Sequence, residues 1–243
     1  MAKFDQTVTF RKAEVPGPHR AIVFIHGGAW IDPSNTPHDF DQLSKHLLDI
    51  SNSQLPFSLY AVEYRLSPEY QHPIHIQDVI DNLAQLIQQE QIDELNLLGH
   101  SVGATLCWQI LSLDSSIDFV EPSQLQLVRS KLKRCYLTDG IYSLKELLKE
   151  YPSYDYFVSK AFSKVDDYDD PRGSEIDSSL SPVIYVIHSY QDELLSLRQS
   201  NYFCAVLQEL QQPYQVYLDD LGKHNDVYEN LKLAQYVLYT MMR

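Results

Sequence analysis

The pentapeptide GHSVG at residues 99–103 is the feature that most constrains the fold of this 243-residue chain. It follows the apolar stretch 95–98 and precedes a segment that is compatible with a helix to about residue 113. A short buried strand, a G-x-S-x-G turn and a helix, in that order, predict a nucleophile elbow. A serine hydroxyl is a weak nucleophile, so the turn must present it bare and within reach of a base. Ser101 is therefore the candidate nucleophile, and Gly99 and Gly103 let the strand and the helix approach without Cβ clashes.

A second motif lies upstream, at the end of another apolar run. Residues 21–25 are all apolar, as in a strand buried on both faces, and they lead into HGGAW at residues 26–30. Glycine loops of this kind turn backbone N–H groups toward a developing oxyanion, together with the N–H of the residue after the nucleophile. The candidate donors are therefore Gly27, Gly28 and Val102. Four of the eight glycines of the chain lie in these two motifs, which argues against an ordinary Gly-Gly turn.

A serine triad of this type runs in the chain order serine, acid, histidine. After Ser101 and its neighbour His100, the chain has only two further histidines. His188 ends a strand-like run, whereas His224 lies in a polar loop after the last strand-like segment. Because a loop beyond a strand suits a base, His224 is the candidate and His188 is the alternative.

The candidate acid is Asp192, in the loop that follows the strand-like residues 183–188. In open α/β sheets the working residues lie beyond the carboxyl ends of the strands. The adjacent Glu193 is the alternative. Asp219 and Asp220 are weaker candidates because they belong to the loop of the final strand itself.

Strand-like and helical segments alternate along the chain. The predicted strands are residues 7–10, 21–25, 57–62, 95–98, 135–138, 183–188 and 214–218, and the predicted helices are 39–50, 74–90, the elbow helix to about 113, 194–210 and 227–241. This alternation predicts an α/β fold with a mostly parallel sheet and helices on both faces, in a single domain over residues 1–243. Residues 140–181 break the rhythm and are rich in aromatic side chains. They indicate either a small cap over the elbow or a helical excursion packed onto the domain.

Three motifs taken together resemble a known family. The loop from His26 to Trp30, the elbow at residues 99–103 and the segment EYRLSPE at residues 63–69 are similar to the hormone-sensitive-lipase-like branch of the α/β-hydrolases. Within that branch the compact loop and the short chain resemble the arylformamidases. Ala29 stands where many esterases of the branch carry a third glycine. The resemblance implies an α/β-hydrolase fold, no cofactor, and N-formyl-L-kynurenine or a similar aryl formamide as the small-molecule substrate.

The resemblance also implies the chemistry of the site. It implies serine acyl transfer from Ser101 through a formyl ester, with His224 as base and Asp192 as orienting acid. Trp30 beside the oxyanion loop either closes the acyl side of the site or packs in the core. Two alternatives for the function stay open: a general short-chain carboxylesterase with the same triad, and a non-catalytic binding protein of the same fold.

Composition disfavours several other classes. The formal net charge is −14 and no basic stretch is present, so we expect no nucleic-acid partner. Three widely spaced cysteines without a CxxC pair indicate reduced thiols, and no apolar segment is long enough for a signal peptide or a membrane span. We therefore expect a cytoplasmic protein without membrane contact. The oligomeric state is open, with a homodimer as one option.

A second group of histidines raises the question of a metal. His72 and His75 lie near Asp78 along the chain, but no HExxH or equivalent frame accompanies them. We expect these histidines to lie at the surface and predict no metal site.

Overall fold

A seven-stranded sheet forms the centre of the computed structural model, which describes residues 6–14, 16–52, 54–113, 119–164, 171 and 182–242. The strands β1 to β7 are Thr7–Arg11, Arg20–Ile25, Ser58–Val62, Glu94–His100, Leu132–Thr138, Val183–Ser189 and Tyr214–Asp219. Their order in the sheet is β1-β3-β2-β4-β5-β6-β7. β1 pairs antiparallel with β3, and every other neighbouring pair is parallel. The predicted mostly parallel sheet is therefore confirmed.

Helices cover both faces of this sheet. The helices α1 to α8 are Asp41–Ile50, Ile74–Glu90, Val102–Ser112, Pro122–Lys131, Leu144–Glu150, Asp155–Ala161, Leu197–Glu209 and Leu231–Met241. Side chains alternate across a strand, so Ile22 and Phe24 of β2 pack in one core with α1 and α8. Val23 and Ile25 pack in the other core, with α2, α3, α4 and α7. The apolar run of β2 is explained by burial on both faces.

The start of the last helix differs from the prediction. Helix α8 begins at Leu231, not at residue 227, because His224–Glu229 form a 3₁₀ helix of their own. The side chain of Asn230 then caps α8 by accepting from the N–H of Lys232. His224 therefore lies at the start of a short ordered helix and not in a polar loop.

Two other predicted helices begin later than expected. Helix α1 begins at Asp41 because Pro37–Phe40 form a 3₁₀ helix that Thr36 caps. Helix α7 begins at Leu197, after the cap residue Ser196. The sequence did not predict helix α4, and it gave no bounds for α5 and α6, which lie in the region where a helical excursion was one of the two alternatives.

The region predicted as a cap is described only in part. After β5 the chain forms α5, a 3₁₀ helix at Pro152–Tyr154, and α6. Residues 165–170 and 172–181 lie outside the described residues, so both the cap and the single-domain organisation stay predictions.

The parallel strands bring the candidate residues to one edge of the sheet. The HGGAW loop follows β2, Ser101 follows β4, and Asp192 and His224 follow β6 and β7. In sheets of this kind ligands bind beyond the carboxyl ends of the strands. Of the helices that the structure describes, none is both long and apolar enough to cross a membrane. Cys107, Cys135 and Cys204 are free thiols.

Candidate active site

Ser101 lies at a sharp turn between β4 and α3. Its backbone has φ 54° and ψ −119°, in a region that a non-glycine residue rarely adopts. A Cβ on Gly103 would lie 2.0 Å from the carbonyl oxygen of Ile25, and a Cβ on Gly99 would lie 2.4 Å from the carbonyl oxygen of Gly103. Only glycine fits at these two positions, and the close packing presents Ser101 at the tip of the turn. The predicted elbow geometry is present.

His224 and Asp192 form a buried pair. His224 Nδ1 lies 2.7 Å from Asp192 Oδ2, and the carboxylate side chain is 0% exposed. Because a carboxylate only accepts, Nδ1 carries the hydrogen and Nε2 is left as an acceptor. The other carboxylate oxygen accepts from the N–H groups of Leu194 and Leu195, both at 2.8 Å. The orientation of the carboxylate is thereby fixed on both of its oxygens.

The alternative acids do not reach the imidazole ring. Glu193 is exposed, and its Oε2 accepts from the backbone N–H of His224 at 3.0 Å. Asp219 pairs with Lys232 at 2.9 Å. Asp192 therefore orients the ring, whereas Glu193 holds the main chain of the same residue.

The alternative base, His188, has both ring nitrogens engaged inside the fold. Nε2 lies 3.1 Å from the carbonyl oxygen of Leu195 and must donate to it. Nδ1 then accepts from the hydroxyl of Ser200 at 2.8 Å. Burial lowers the pKa of His188, which favours this neutral form. Both ring nitrogens of His188 are therefore used in hydrogen bonds within the fold, which leaves His224 as the candidate base.

The HGGAW loop turns sharply beside the elbow. Gly28, Ala29 and Trp30 have φ of 96°, 49° and 62°, all in the left-handed region. A Cβ on Gly27 would lie 3.1 Å from the Cβ of Ser101, so the backbone of this residue runs against the serine. Val102 is the first residue of α3, where a backbone N–H has no acceptor within its own helix. The three candidate donor residues therefore lie around the serine turn.

The loop is supported by two residues whose roles the sequence analysis missed. Glu63 Oε1 accepts from His26 Nε2 at 2.6 Å, and the hydroxyl of Tyr64 donates to the carbonyl oxygen of Gly27, also at 2.6 Å. The rings of His26 and Tyr64 stack with centroids 4.4 Å apart. Both supporting residues directly follow β3, the parallel neighbour of β2, and this placement was the available signal.

The prediction of surface histidines was wrong for His75. This residue is 0% exposed, and its Nε2 lies 3.0 Å from Ser67 Oγ. Burial lowers its pKa to about 3. Asp78 is also buried and forms a two-pronged ion pair with Arg65, at 2.7 and 2.8 Å. His75 and Asp78 of α2 thus hold the EYRLSPE segment against the helix through Ser67 and Arg65. The sequence alone did not show these buried partners.

Two groups of side chains in the described part of the chain could geometrically hold a cation. They are His100, Asp139 and His224, and Asp139, His188 and Asp192, with one donor atom of each residue within 4.8 Å of the others. Both groups overlap the histidine–carboxylate network of the site, and several of their atoms already make hydrogen bonds within the chain. The prediction that the protein carries no metal stays a prediction.

A cavity of about 420 Å³ opens over the serine. This volume lies within the roughly 300–1,000 Å³ that small-molecule sites occupy. Ser101 and His224 both line it, with Gly28 of the oxyanion loop. The remaining lining residues are Ala29, Ile31, Asp32, Pro33, Asn35, Ile141, Tyr154, Tyr156, Phe157, Leu194, Leu195 and Asn225. Three aromatic side chains therefore line the same cavity as the candidate nucleophile, as expected of a site for an aryl substrate.

Trp30 packs in the core. It is 1% exposed and contacts Phe162 edge-on at 5.0 Å and Phe157 at 6.3 Å between ring centroids. Among the described residues that line the cavity, Trp30 does not occur. Of the two interpretations of Trp30, the structure favours core packing over a wall on the acyl side.

Comparisons with known proteins identify the family of the chain. The model of a family with the alpha/beta hydrolase fold matches residues 22–224. A kynurenine formamidase of Eremothecium gossypii is 52% identical over 90% of this chain and 91% of its own length, and one of Saccharomyces cerevisiae is 42% identical over 96% and 93%. Among solved structures, a lipase/esterase of Lactobacillus plantarum is similar in fold, with a TM-score of 0.71 at 12% identity over 98% of this chain and 91% of its own. The chain therefore belongs to the alpha/beta hydrolase fold family, in its kynurenine formamidase group.

Proposed function

We propose that this protein is a serine hydrolase that cleaves the formamide of N-formyl-L-kynurenine to L-kynurenine and formate. The relatives named kynurenine formamidase support the substrate, because two of them match nearly the whole chain. The observation that carries the chemistry is the 2.7 Å contact between His224 Nδ1 and Asp192 Oδ2. His224 lines the same cavity as Ser101.

The acylation half of the reaction follows from this arrangement. Ser101 Oγ attacks the formyl carbon while His224 Nε2 takes the hydroxyl proton, and Asp192 stabilises the resulting imidazolium. The carbonyl oxygen becomes an oxyanion, which the backbone N–H groups of Gly27, Gly28 and Val102 bind, each contributing about 3–4 kcal/mol to the transition state. His224 then returns the proton to the arylamine nitrogen as the C–N bond breaks, which leaves a formyl ester on Ser101.

The deacylation half uses the same groups in reverse. Water attacks the formyl ester while His224 accepts its proton, and collapse of the second tetrahedral intermediate returns the hydroxyl to Ser101. The products are formate and the free enzyme. No step requires a cofactor, and the reaction needs only the small-molecule substrate and water.

The test compares formamide and ester hydrolysis directly. We expect kcat/KM on N-formyl-L-kynurenine to exceed that on p-nitrophenyl acetate and butyrate, with kynurenine and formate released in equal amounts. Preference for the butyrate ester would instead favour the general carboxylesterase. Incorporation of a fluorophosphonate probe at Ser101, abolished in Ser101→Ala, distinguishes either enzyme from a non-catalytic binding protein. We further propose that the reaction takes place in the cytoplasm.

A further inference from the structure

The charge of the cavity is one-sided. Apart from His224, Asp32 is the one residue of the described lining that carries a charged side chain. Neither lysine nor arginine occurs in that lining. The whole chain carries a net charge of −14, which adds to the negative field at this mouth. Such a cavity favours a ligand with a cationic group and disfavours one whose only charge is negative.

Asp32 is held beside the oxyanion loop by its own backbone. Its N–H donates to the carbonyl oxygen of Gly28 at 2.8 Å, so the residue belongs to the same turn that carries a candidate oxyanion donor. The side chain is exposed to the cavity mouth, and no cation among the described residues forms an ion pair with it. The residue therefore has a fixed position relative to the HGGAW loop, and its carboxylate has no partner of opposite charge within that part of the chain.

The orientation of this carboxylate is also fixed. Oδ1 accepts from both the N–H and the hydroxyl of Ser34, at 2.9 and 2.7 Å. These hydrogen bonds lower the pKa of Asp32, so the group is ionised over the neutral range. A carboxylate has acceptor capacity for about four hydrogen bonds, so a ligand N–H can still bind it.

We propose that Asp32 binds the α-ammonium group of the substrate's amino-acid end and thereby makes the enzyme selective for zwitterionic aryl formamides. This inference rests on the proposed function. The formyl carbon lies at Ser101, the aryl ring lies along the wall formed by Tyr154, Tyr156 and Phe157, and the ammonium group pairs with Asp32. The substrate carboxylate then faces solvent and the neutral amides of the cavity. Asp32 is a specificity residue and takes no part in bond breaking.

The experiment uses three formamides with the same reacting group. They are N-formyl-L-kynurenine, its desamino analogue 4-(2-formamidophenyl)-4-oxobutanoate, and 2′-formamidoacetophenone, which lacks both charges. We expect Asp32→Asn to lower kcat/KM on N-formyl-L-kynurenine by about 10-fold, mainly through KM, because a charge-assisted hydrogen bond is lost. The same variant should leave the acetophenone unchanged and should improve the desamino anion. Raising the salt concentration should shrink the difference on N-formyl-L-kynurenine.

A matched control removes an equal charge elsewhere. Asp49→Asn changes an exposed carboxylate at the end of α1, outside the cavity lining, and should affect no substrate. Equal losses on all three formamides in Asp32→Asn, or no loss on N-formyl-L-kynurenine, would overturn the role of Asp32 while the formamidase activity of the wild type stands. A wild type that hydrolyses none of the formamides would instead refute the proposed function, and this inference with it.

Discussion

The hydroxyl of Tyr64 donates a hydrogen bond to the carbonyl oxygen of Gly27 across 2.6 Å. It also lies 3.2 Å from the carbonyl oxygen of His26. Each carbonyl shares a planar trans peptide unit with the N–H of the next residue, and the two groups point in opposite directions. Holding the carbonyls of His26 and Gly27 on one side therefore directs the N–H groups of Gly27 and Gly28 to the other.

This relationship makes Tyr64→Phe a test of the oxyanion loop. Removing the hydroxyl takes away its hydrogen bond to the buried carbonyl of Gly27, which then has only His26 Nδ1, at 2.9 Å, as a possible donor in the described chain, at a cost of about 1–3 kcal/mol. We expect kcat to fall by about 10- to 100-fold with KM nearly unchanged, because the proposed oxyanion donors would act on the transition state. The control is Tyr60→Phe, which removes a hydroxyl that contacts Glu90 outside the site. A folded Tyr64→Phe enzyme with the kcat of the wild type would show that the loop keeps its geometry unaided.

Substitutions of the two neighbouring carboxylates at residues 192 and 193 should have very different effects on kcat. Asp192→Asn should lower kcat by about 10⁴-fold, because an amide leaves the imidazole in the wrong tautomer. Glu193→Gln should cost less than about 10-fold, since an amide oxygen can still accept from the backbone N–H of His224. Steady-state kinetics on N-formyl-L-kynurenine measure both. The reverse order of effects would assign the acid to Glu193.

Buried Asp139 should make stability depend on pH. One of its oxygens accepts from the N–H of Ser189 at 2.9 Å, the other has no partner in the described chain, and burial raises its pKa well above the ordinary value. The folded state therefore holds a proton that the unfolded state releases above about pH 4, so this group destabilises the fold increasingly as pH rises.

Asp139→Asn keeps an acceptor for Ser189 and removes the titration. We expect its free energy of unfolding to match the wild type near pH 4 and to exceed it increasingly toward pH 8, by up to about 1.4 kcal/mol per pH unit below the folded pKa. Urea denaturation at a series of pH values measures the difference. A difference that stays constant with pH would show that Asp139 ionises in the folded protein.

Trp30 should affect stability more than selectivity. Trp30→Ala removes a ring packed on Phe157 and Phe162, and we expect a loss of about 3–5 kcal/mol in the free energy of unfolding. Among molecules that remain folded, the decline in kcat/KM from formyl to acetyl to butyryl arylamides should be the same as in the wild type. Thermal denaturation and the acyl series together provide the measurement. A flattened series would restore a steric role on the acyl side.

The local motifs could be predicted because each is a short run with a strict backbone requirement. The GHSVG turn at residues 99–103 allows no Cβ at its glycines, and the order of strands then predicts where acid and base follow. The support from Glu63 and Tyr64 could not be predicted in this way. Its contacts join residues 37 positions apart, and they depend on the parallel pairing of β2 with β3.

The misjudged positions share a different cause. The polarity of His75 indicates a surface position when its partners are not known. In the structure it is buried on the packed face of α2 and contacts Ser67. The helical pattern after residue 227 ran through the 3₁₀ helix at His224–Glu229, because composition does not separate a tight turn from the first turn of an α-helix. Tertiary contacts decide both cases.

His100 occupies the second position of the G-x-S-x-G motif, where the motif allows any residue, and yet it makes a specific hydrogen bond. Its Nε2 donates to the carbonyl oxygen of His224 at 2.9 Å, across 124 positions of the chain. The residue beside the proposed nucleophile thus anchors the main chain of the proposed base, independently of the hydrogen bond between Asp192 and the imidazole ring. In a library of substitutions at residue 100, few replacements should therefore be tolerated. A position that a sequence motif leaves unspecified can thus be strictly constrained in an individual protein.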